Sequence, residues 1–303
     1  MAELYFLVGL PGSGKSTYAA ILERDKNCIV HSSDKIREEF GDVNDQTKNV
    51  KVFETLHKRV KNDLQNDKDT VYDSTNLKRK RRVEFLKELK NIPCKKICVL
   101  VATPWEYCLA QNFARERQVP EDVMCNMYKG FQMPSLYEGF DEVVLYYAKE
   151  EWKTYYGNVV DYVRSLIDYS QDNHHHALKL GEHMYAAANY ILDQNMDDDL
   201  AYAALTHDIG KPDTKTFKDS KGRTTEEAHY YNHHCVGSYK SLFFKYPSYI
   251  KSKEYIALLI ELHMKPYMEW QQSEKARQKD LRIFGQDVIR DVKLLHEADR
   301  NAH

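Results

Sequence analysis

At 303 residues, 42% hydrophobic and 30% charged, the chain is long for one compact domain and natural for two. Its formal net charge of −2 excludes a global basic field for nucleic acid, so any such binding must come from local patches. No apolar run exceeds about six residues against the roughly 18 of a membrane span, and MAELYFLVGL lacks a basic leader, so a cytoplasmic, membrane-free protein is expected. The six cysteines form no CxxC pair and read as free thiols.

Up to about residue 150, candidate strands at 4–8, 28–31, 70–72, 96–102 and 142–146 alternate with helical stretches. The latter lie near 15–24, 34–40, 47–66, 78–90, 104–116 and 121–132. This alternation predicts an α/β domain, a parallel sheet with helices on both faces. Between the first strand and helix, residues 9–16 read Gly-Leu-Pro-Gly-Ser-Gly-Lys-Ser, a complete G-x-x-x-x-G-K-S loop. Glycines there let backbone N–H groups turn around phosphate oxygens, the lysine reaches the β/γ-phosphates and the serine serves Mg²⁺. ATP and Mg²⁺ are therefore expected at Gly12, Ser13, Gly14, Lys15, Ser16 and Thr17.

The next strand ends in His-Ser-Ser-Asp-Lys-Ile-Arg, which places Asp34 and Arg37 where acceptor chemistry occurs in an open sheet. Asp34 can take a hydroxyl proton and Arg37 can hold a phosphate; an N-cap aspartate beside a surface arginine is the plain alternative. Asp73, ending the third strand, suits a Walker-B-like role toward Mg²⁺ or Ser16, or a simple turn. Arg115 and Arg117 precede Val119-Pro120, where a lid would bring arginine to a transferring phosphoryl group. Lys78-Arg79-Lys80-Arg81-Arg82 is either a track for a nucleic-acid backbone or a solvated helix face.

Together, Gly9–Ser16, the D-x-x-R of Asp34 and Arg37, Asp73 with Thr75-Asn76, and the arginines before Val-Pro resemble polynucleotide 5′-kinases of phage and bacterial end-healing enzymes. The resemblance covers roughly 3–147. It implies phosphoryl transfer from ATP to a 5′-OH, with Asp34 as general base, Arg37 on the acceptor's 3′-phosphate, and Arg115 or Arg117 as lid arginine. Ser74 intervenes where the family's acid directly precedes Thr-Asn. The D-x-D-x-T phosphatase motif of the phage enzyme is absent from the sequence.

From about 151 the strand signal stops, and 152–169, 177–194, 200–209, 226–245, 253–263 and 286–301 read as amphipathic helices. The expectation is an all-α bundle over 151–303 following an α/β domain over 1–150. Eleven of the thirteen histidines lie after residue 170. Within Ala-Leu-Thr-His-Asp-Ile-Gly-Lys-Pro, His207 and Asp208 can aim imidazole and carboxylate at one cation, suiting Mn²⁺, Ni²⁺, Co²⁺, Fe²⁺ or Zn²⁺.

This "HDIGKP", with its flanking histidines, resembles the HD-domain phosphohydrolases over about 172–301. That resemblance implies a lone histidine matched by His183, the pair His207 and Asp208, then His233 and His263, and a distal Asp299. His234 is the rival to His233. Six ligands would hold two metals bridged by Asp208, with Lys211 stabilising phosphate charge or simply capping its helix. In Asn-His-His-His-Ala the three adjacent rings point about 100° apart and cannot share one ion. His176 falls on the face of His183, toward a substrate phosphate, whereas His174 and His175 face solvent.

The combined expectation is a bifunctional enzyme that heals RNA or DNA ends, phosphorylating 5′-OH and hydrolysing 2′,3′-cyclic, 2′- or 3′-phosphates for a separate RNA ligase. Known kinase-linked HD enzymes place the HD domain first, so the order here is reversed. The alternative is an HD phosphohydrolase of a small nucleotide, with the P-loop domain as an ATP switch.

Overall fold

The computed structural model describes residues 1–41, 46–173 and 177–302. The chain forms two compact units. One comprises Met1–Met124 with Pro134–Ala148, the other Cys125–Met133 with the chain from Lys149 onward.

The first unit is a parallel sheet of β1 (Ala2–Val8), β2 (Ile29–Ser32), β3 (Thr70–Asp73), β4 (Cys94–Val101) and β5 (Glu142–Tyr146), in the order β2-β3-β1-β4-β5. The central strand reads AELYFLV and is buried almost throughout, as a parallel strand covered on both faces must be. On one face Tyr5, Leu7, Val71, Val99 and Val101 pack with Ala19 and Leu22 of α1 (Lys15–Lys26). On the other, Phe6 lies 4.6 Å from Tyr72, 5.9 Å from Phe85 and 5.5 Å from Phe140, ring centre to ring centre. Each such ring taken from water contributes about 1.5–3 kcal/mol. The register Ser32↔Asp73 sets the acid that ends β3 beside the end of β2, two residues before Asp34.

The remaining helices of this part of the chain are α2 (Ser33–Glu39), α3 (Asn49–Gln65), α4 (Arg79–Glu88), α5 (Trp105–Phe113) and α6 (Glu121–Tyr128). α3 buries Val52, Leu56, Val60 and Leu64 at a four-residue spacing, the stripe that makes it a helix against the sheet. α4 carries the basic run, and here the expected nucleic-acid track divides. Arg79 and Arg82 are buried and paired with buried Glu138, while Lys80 stays in solvent.

The second unit contains α7 (Val159–Ser165), α8 (Leu180–Asp193), α9 (Asp198–Thr206), the short α10 (Lys211–Thr214), α11 (His233–Ser241), α12 (Lys253–Leu262) and α13 (Glu274–Asn301). α8 packs on α9 and α13, and α11 on α12. The expected all-α reading needs one correction, because β6 (Thr216–Lys218) and β7 (Thr224–His229) form an antiparallel hairpin. The helix expected from 226 therefore begins only at His233. The last helix starts at Glu274 rather than 286 and is interrupted at Gly285, whose φ of 77° is non-helical. Within the same unit, Tyr128 and Phe131 of the returning segment meet Tyr239 edge to face at 5.6 and 4.9 Å, and Met133 N donates to buried Glu261. Among the described residues no helix is long and apolar enough to cross a membrane.

Candidate functional site

In the first unit the phosphate loop turns inward at Gly12 and Gly14, both left-handed, with φ of 80° and 89°. A Cβ at Gly12 would sit 2.2 Å from the Cys108 carbonyl oxygen, so the loop lies tight against α5 and tolerates no side chain there. Lys15 is buried and its Nζ donates to the carbonyls of Gly9 and Leu10 at 2.9 Å each. The Ser13 hydroxyl oxygen is buried without a partner. A buried ammonium and a partnerless hydroxyl inside a glycine-lined turn are the groups a polyphosphate satisfies. Ser16 Oγ donates to Asp73 Oδ2 at 3.2 Å, a pairing suited to holding Mg²⁺ beside that phosphate. Thr17 follows, exposed, in the first turn of α1.

Burial pushes the Asp73 carboxyl up, with Lys15 and Ser16 opposing. Burial pushes the Lys15 ammonium down, with Asp73 opposing and Arg115 adding to the depression. Arg115 therefore lies within electrostatic reach of the loop. Arg117 instead meets Asp34, 3.3 Å from its Oδ1. Arg37 Nη1 donates to that same oxygen at 2.8 Å, and Arg37 Nη2 to Asn49 Oδ1 at 2.9 Å. Arg37 is buried and its Nε has no partner. Asp34 remains exposed, so the structure brings an accessible carboxylate, two arginines and the phosphate loop to the same sheet edge. Asn49 carried no motif in the sequence, and only its contact with Arg37 reveals it.

In the second unit the six expected ligands converge. Ligand atoms of His183, His207 and Asp299 lie within 4.8 Å of one another, as do those of Asp208, His233 and His263. Asp208 divides its oxygens between the groups. Oδ2 is 3.5 Å from His183 Nε2 and 3.2 Å from His207 Nε2, while Oδ1 is 3.1 Å from His233 Nε2. Asp299 Oδ1 lies 3.1 Å from His183 Nε2. His233, rather than the half-buried His234, supplies the inward Nε2.

The local chain fixes the tautomers. His207, His233 and His263 each donate Nδ1–H to the carbonyl three residues earlier, at Ala204, Tyr230 and Ile260 (2.7, 2.9 and 2.7 Å). His183 Nδ1 donates to Ala302 O at 2.8 Å. A carbonyl only accepts, so each neutral ring turns its Nε2 lone pair into the cluster. Those lone pairs face each other, 3.1 Å between His183 and His207 and 3.2 Å between His233 and His263. Lone pairs at such distances repel unless a cation joins them. Burial disfavours an imidazolium at His207, yet Asp208 and Asp299 override it and raise that ring to about 10. Burial likewise opposes ionised Asp208, but His207 and Lys211 hold its carboxyl well below the usual range. The pocket thus demands positive charge, and its donor set of four imidazoles and two carboxylates fits a pair of divalent transition metals.

Lys211 is buried, with Nζ 2.7 Å from Asp208 Oδ2 and donating to Gln171 Oε1 at 2.7 Å. It is anchored into the cluster rather than capping a helix. Gln171 and Tyr230, whose ring lies 5.5 Å from the Lys211 ammonium, had no sequence signal. Gly210 lets α10 approach α11, since a Cβ there would lie 2.2 Å from the His233 carbonyl oxygen. His229 and His296 belong to neither ligand group and lie against Tyr231 and Tyr267. His174, His175 and His176 fall outside the described residues.

Comparison with known proteins finds one family over each part of the chain. The "AAA domain" family model matches residues 4–134, and the "HD domain" model residues 175–300. The L-seryl-tRNA(Sec) kinase of Methanococcus maripaludis is 26% identical over 136 residues, 43% of this chain and 53% of its own length. The chain thus spans about half the length of the curated relative it matches. Solved structures with similar parts include one from Chloroflexus aurantiacus (15% identity, TM-score 0.41, covering 48% of this chain and 85% of the other). A chain of the Pnkp1/Rnl/Hen1 RNA repair complex matches with 19% identity, TM-score 0.37 and 43% coverage of each chain. A gluconokinase of Sinorhizobium meliloti matches with 13% identity, TM-score 0.36, and 48% and 83% coverage. The chain therefore carries a P-loop kinase domain at its N-terminal end and an HD domain at its C-terminal end.

Proposed function

We propose that the protein heals nucleic-acid ends, above all RNA ends. It would phosphorylate 5′-OH termini with ATP and hydrolyse 2′,3′-cyclic, 2′- or 3′-phosphate termini. A separate ligase would then join the products. The observation that carries this reading is the split of Asp208 between two histidine groups, a donor set suited to a two-metal phosphoester centre, in a chain that also holds a kinase domain. A kinase and a phosphohydrolase in one chain work against each other on a single phosphate. They cooperate on a broken strand, where one end lacks a phosphate and the other has one in the wrong place. The curated relative is by name a kinase of L-seryl-tRNA(Sec), which supports a hydroxyl carried on RNA as acceptor.

In the kinase half, Lys15 and the backbone of the loop hold the β/γ-phosphates, with Ser16 and Asp73 serving Mg²⁺. Asp34 accepts the proton of the attacking hydroxyl, Arg37 holds the acceptor's neighbouring phosphate, and Arg117, with Arg115, meets the charge that develops on the transferred group. In the HD half, His183, His207 and Asp299 would hold one metal, His233 and His263 the other, and Asp208 both. Bound divalent cations supply Lewis acidity and an activated water. Lys211 steadies charge on the phosphate undergoing attack.

The test uses one oligonucleotide with a 5′-OH and a 2′,3′-cyclic phosphate, given ATP and a panel of divalent metals. Lys15→Ala should abolish γ-phosphate transfer and spare hydrolysis, and Asp208→Ala should do the reverse. If the wild type binds ATP but phosphorylates no 5′-OH strand, the kinase reading fails in favour of an ATP-responsive switch on the HD domain.

A further inference from the structure

The hairpin that sequence reading missed stands beside the histidine–aspartate cluster through one short strap. In the strap, Gln171 accepts from Lys211, while the Ser170 carbonyl and Asp172 accept from Lys215 at 2.9 and 2.5 Å. Ala228 of β7 donates to the Asp172 carbonyl, which fixes the hairpin to the same strap. Lys211 and Lys215 flank α10, about 6 Å apart along its axis at the usual helical rise. Lys211 touches the cluster, and Lys215 ends the same short helix.

Two rings gather on that second lysine. The Lys215 ammonium lies 4.8 Å from the centre of Tyr169 and 5.9 Å from that of Phe217. Tyr169 is half-buried, and Phe217 is 43% exposed. Phe217 stands on a three-residue strand, Thr-Phe-Lys, at a position that contributes nothing to a core. The Lys215 charge is already met by Asp172, so its effect on the rings is to anchor them rather than to neutralise a phosphate. An exposed phenyl and a tyrosine, pinned one lysine away from a phosphoester centre, are what a nucleobase stacks on.

We propose that Tyr169 and Phe217, held around Lys215, form a nucleobase-stacking subsite for the terminal nucleoside whose phosphate lies at the histidine–aspartate cluster. This rests on the end-healing reading for the identity of that phosphate, not for the stacking itself. The subsite selects ends that carry a base and ignores inorganic phosphate. It takes a strand end and a free nucleoside phosphate by the same chemistry.

The full chain is titrated with a dye-labelled single strand ending in a 3′-phosphate, with the same strand ending in an abasic 3′-phosphate, and with a nucleoside 3′-monophosphate as competitor. Phe217→Ala should weaken the base-bearing end about 5- to 150-fold, the range expected for one lost stack, and leave the abasic end unchanged. Phe217→Trp should keep wild-type affinity, and its indole fluorescence should be quenched by the strand end and by the mononucleotide but not by inorganic phosphate. A mononucleotide that competes as well as the strand supports the subsite and assigns it to free nucleotides. A strand that binds much more tightly assigns it to polymer ends. Wild-type affinity in Phe217→Ala together with an unquenched Phe217→Trp overturns the proposal. Loss of hydrolysis on every end in the wild type, with quenching retained, would remove the end-healing reading and leave the subsite standing.

Discussion

Replacing Glu138 tests whether the basic run belongs to the interior. Its carboxylate accepts from Arg82 Nε at 2.6 Å and Nη2 at 2.7 Å, and lies 3.3 Å from Arg79 Nε. The side chains of Arg82 and Glu138 are both 0% exposed. Glu138→Ala strips that buried guanidinium of the carboxylate it pairs with, while Asn76 O still accepts from its Nη1. Breaking a buried pair from one side costs about 3–5 kcal/mol, because the desolvation of the surviving charge is no longer offset. For a unit of this size that is about a 10–20 °C drop in the melting temperature. The clamp also bears on the kinase site. Arg82 holds the Asn76 carbonyl and Asn76 Nδ2 donates to Leu7 O, which ties the ends of β1 and β3 beneath the phosphate loop. Thermal unfolding by near-ultraviolet circular dichroism measures the loss, and ATP titration measures the consequence at the loop. The pair Glu138→Leu with Arg82→Met should recover part of the stability, since it removes the two fully buried charges together while Arg79 loses the same carboxylate as in Glu138→Ala. A Glu138→Ala protein that melts within about 2 °C of wild type, a change of well under 1 kcal/mol, would refute the reasoning.

Gly210→Ala drives a Cβ into the His233 carbonyl, and backbone cannot yield cheaply, so about 1–3 kcal/mol of destabilisation is expected. The same shift should lower bound metal per chain, read by elemental analysis, while phosphoryl transfer by the kinase half is retained. Lys253, donating to the carbonyls of Lys153 and Phe244, is depressed by burial to about 8. Its folded value lies below its unfolded one, so the unfolded chain binds more protons between about pH 8 and 10.5, and stability contributed by this site rises across that window. Lys253→Met should flatten that rise in urea unfolding measured from pH 8 to 10.5, and an unchanged slope would count against the assignment.

What the sequence made legible was local. The phosphate loop, the acid closing β3 and the one just after β2, and the apolar runs of all five strands are written in short windows, and the strands lie within a few residues of expectation. The His207–Asp208 pair was readable for the same reason, being two ligands in adjacent letters. What escaped depended on distant partners. Arg79 and Arg82 look solvated until Glu138, 56 residues beyond Arg82, is seen to receive them. β6 and β7 are short and mostly polar and lie at the surface, so neither apolar alternation nor length marked them as strands. The choice between His233 and His234 turned on the Nδ1 bond back to Tyr230 at the mouth of α11, which aims one ring inward and leaves its neighbour about 100° away.

The stretch from Cys125 to Met133 has a genetic consequence. The polypeptide leaves the first unit after Met124, returns at Pro134 and leaves again after Ala148, so no single cut in the gene separates the two halves. A fragment ending near 150 would carry Phe131 and Met133 stripped of Tyr239 and Glu261, an orphaned apolar strip that invites aggregation. Recombination that swaps one half for another by a single crossover meets the same obstacle. The two domains are inherited as one object, and silencing either of them is a matter for point substitution rather than for scissors.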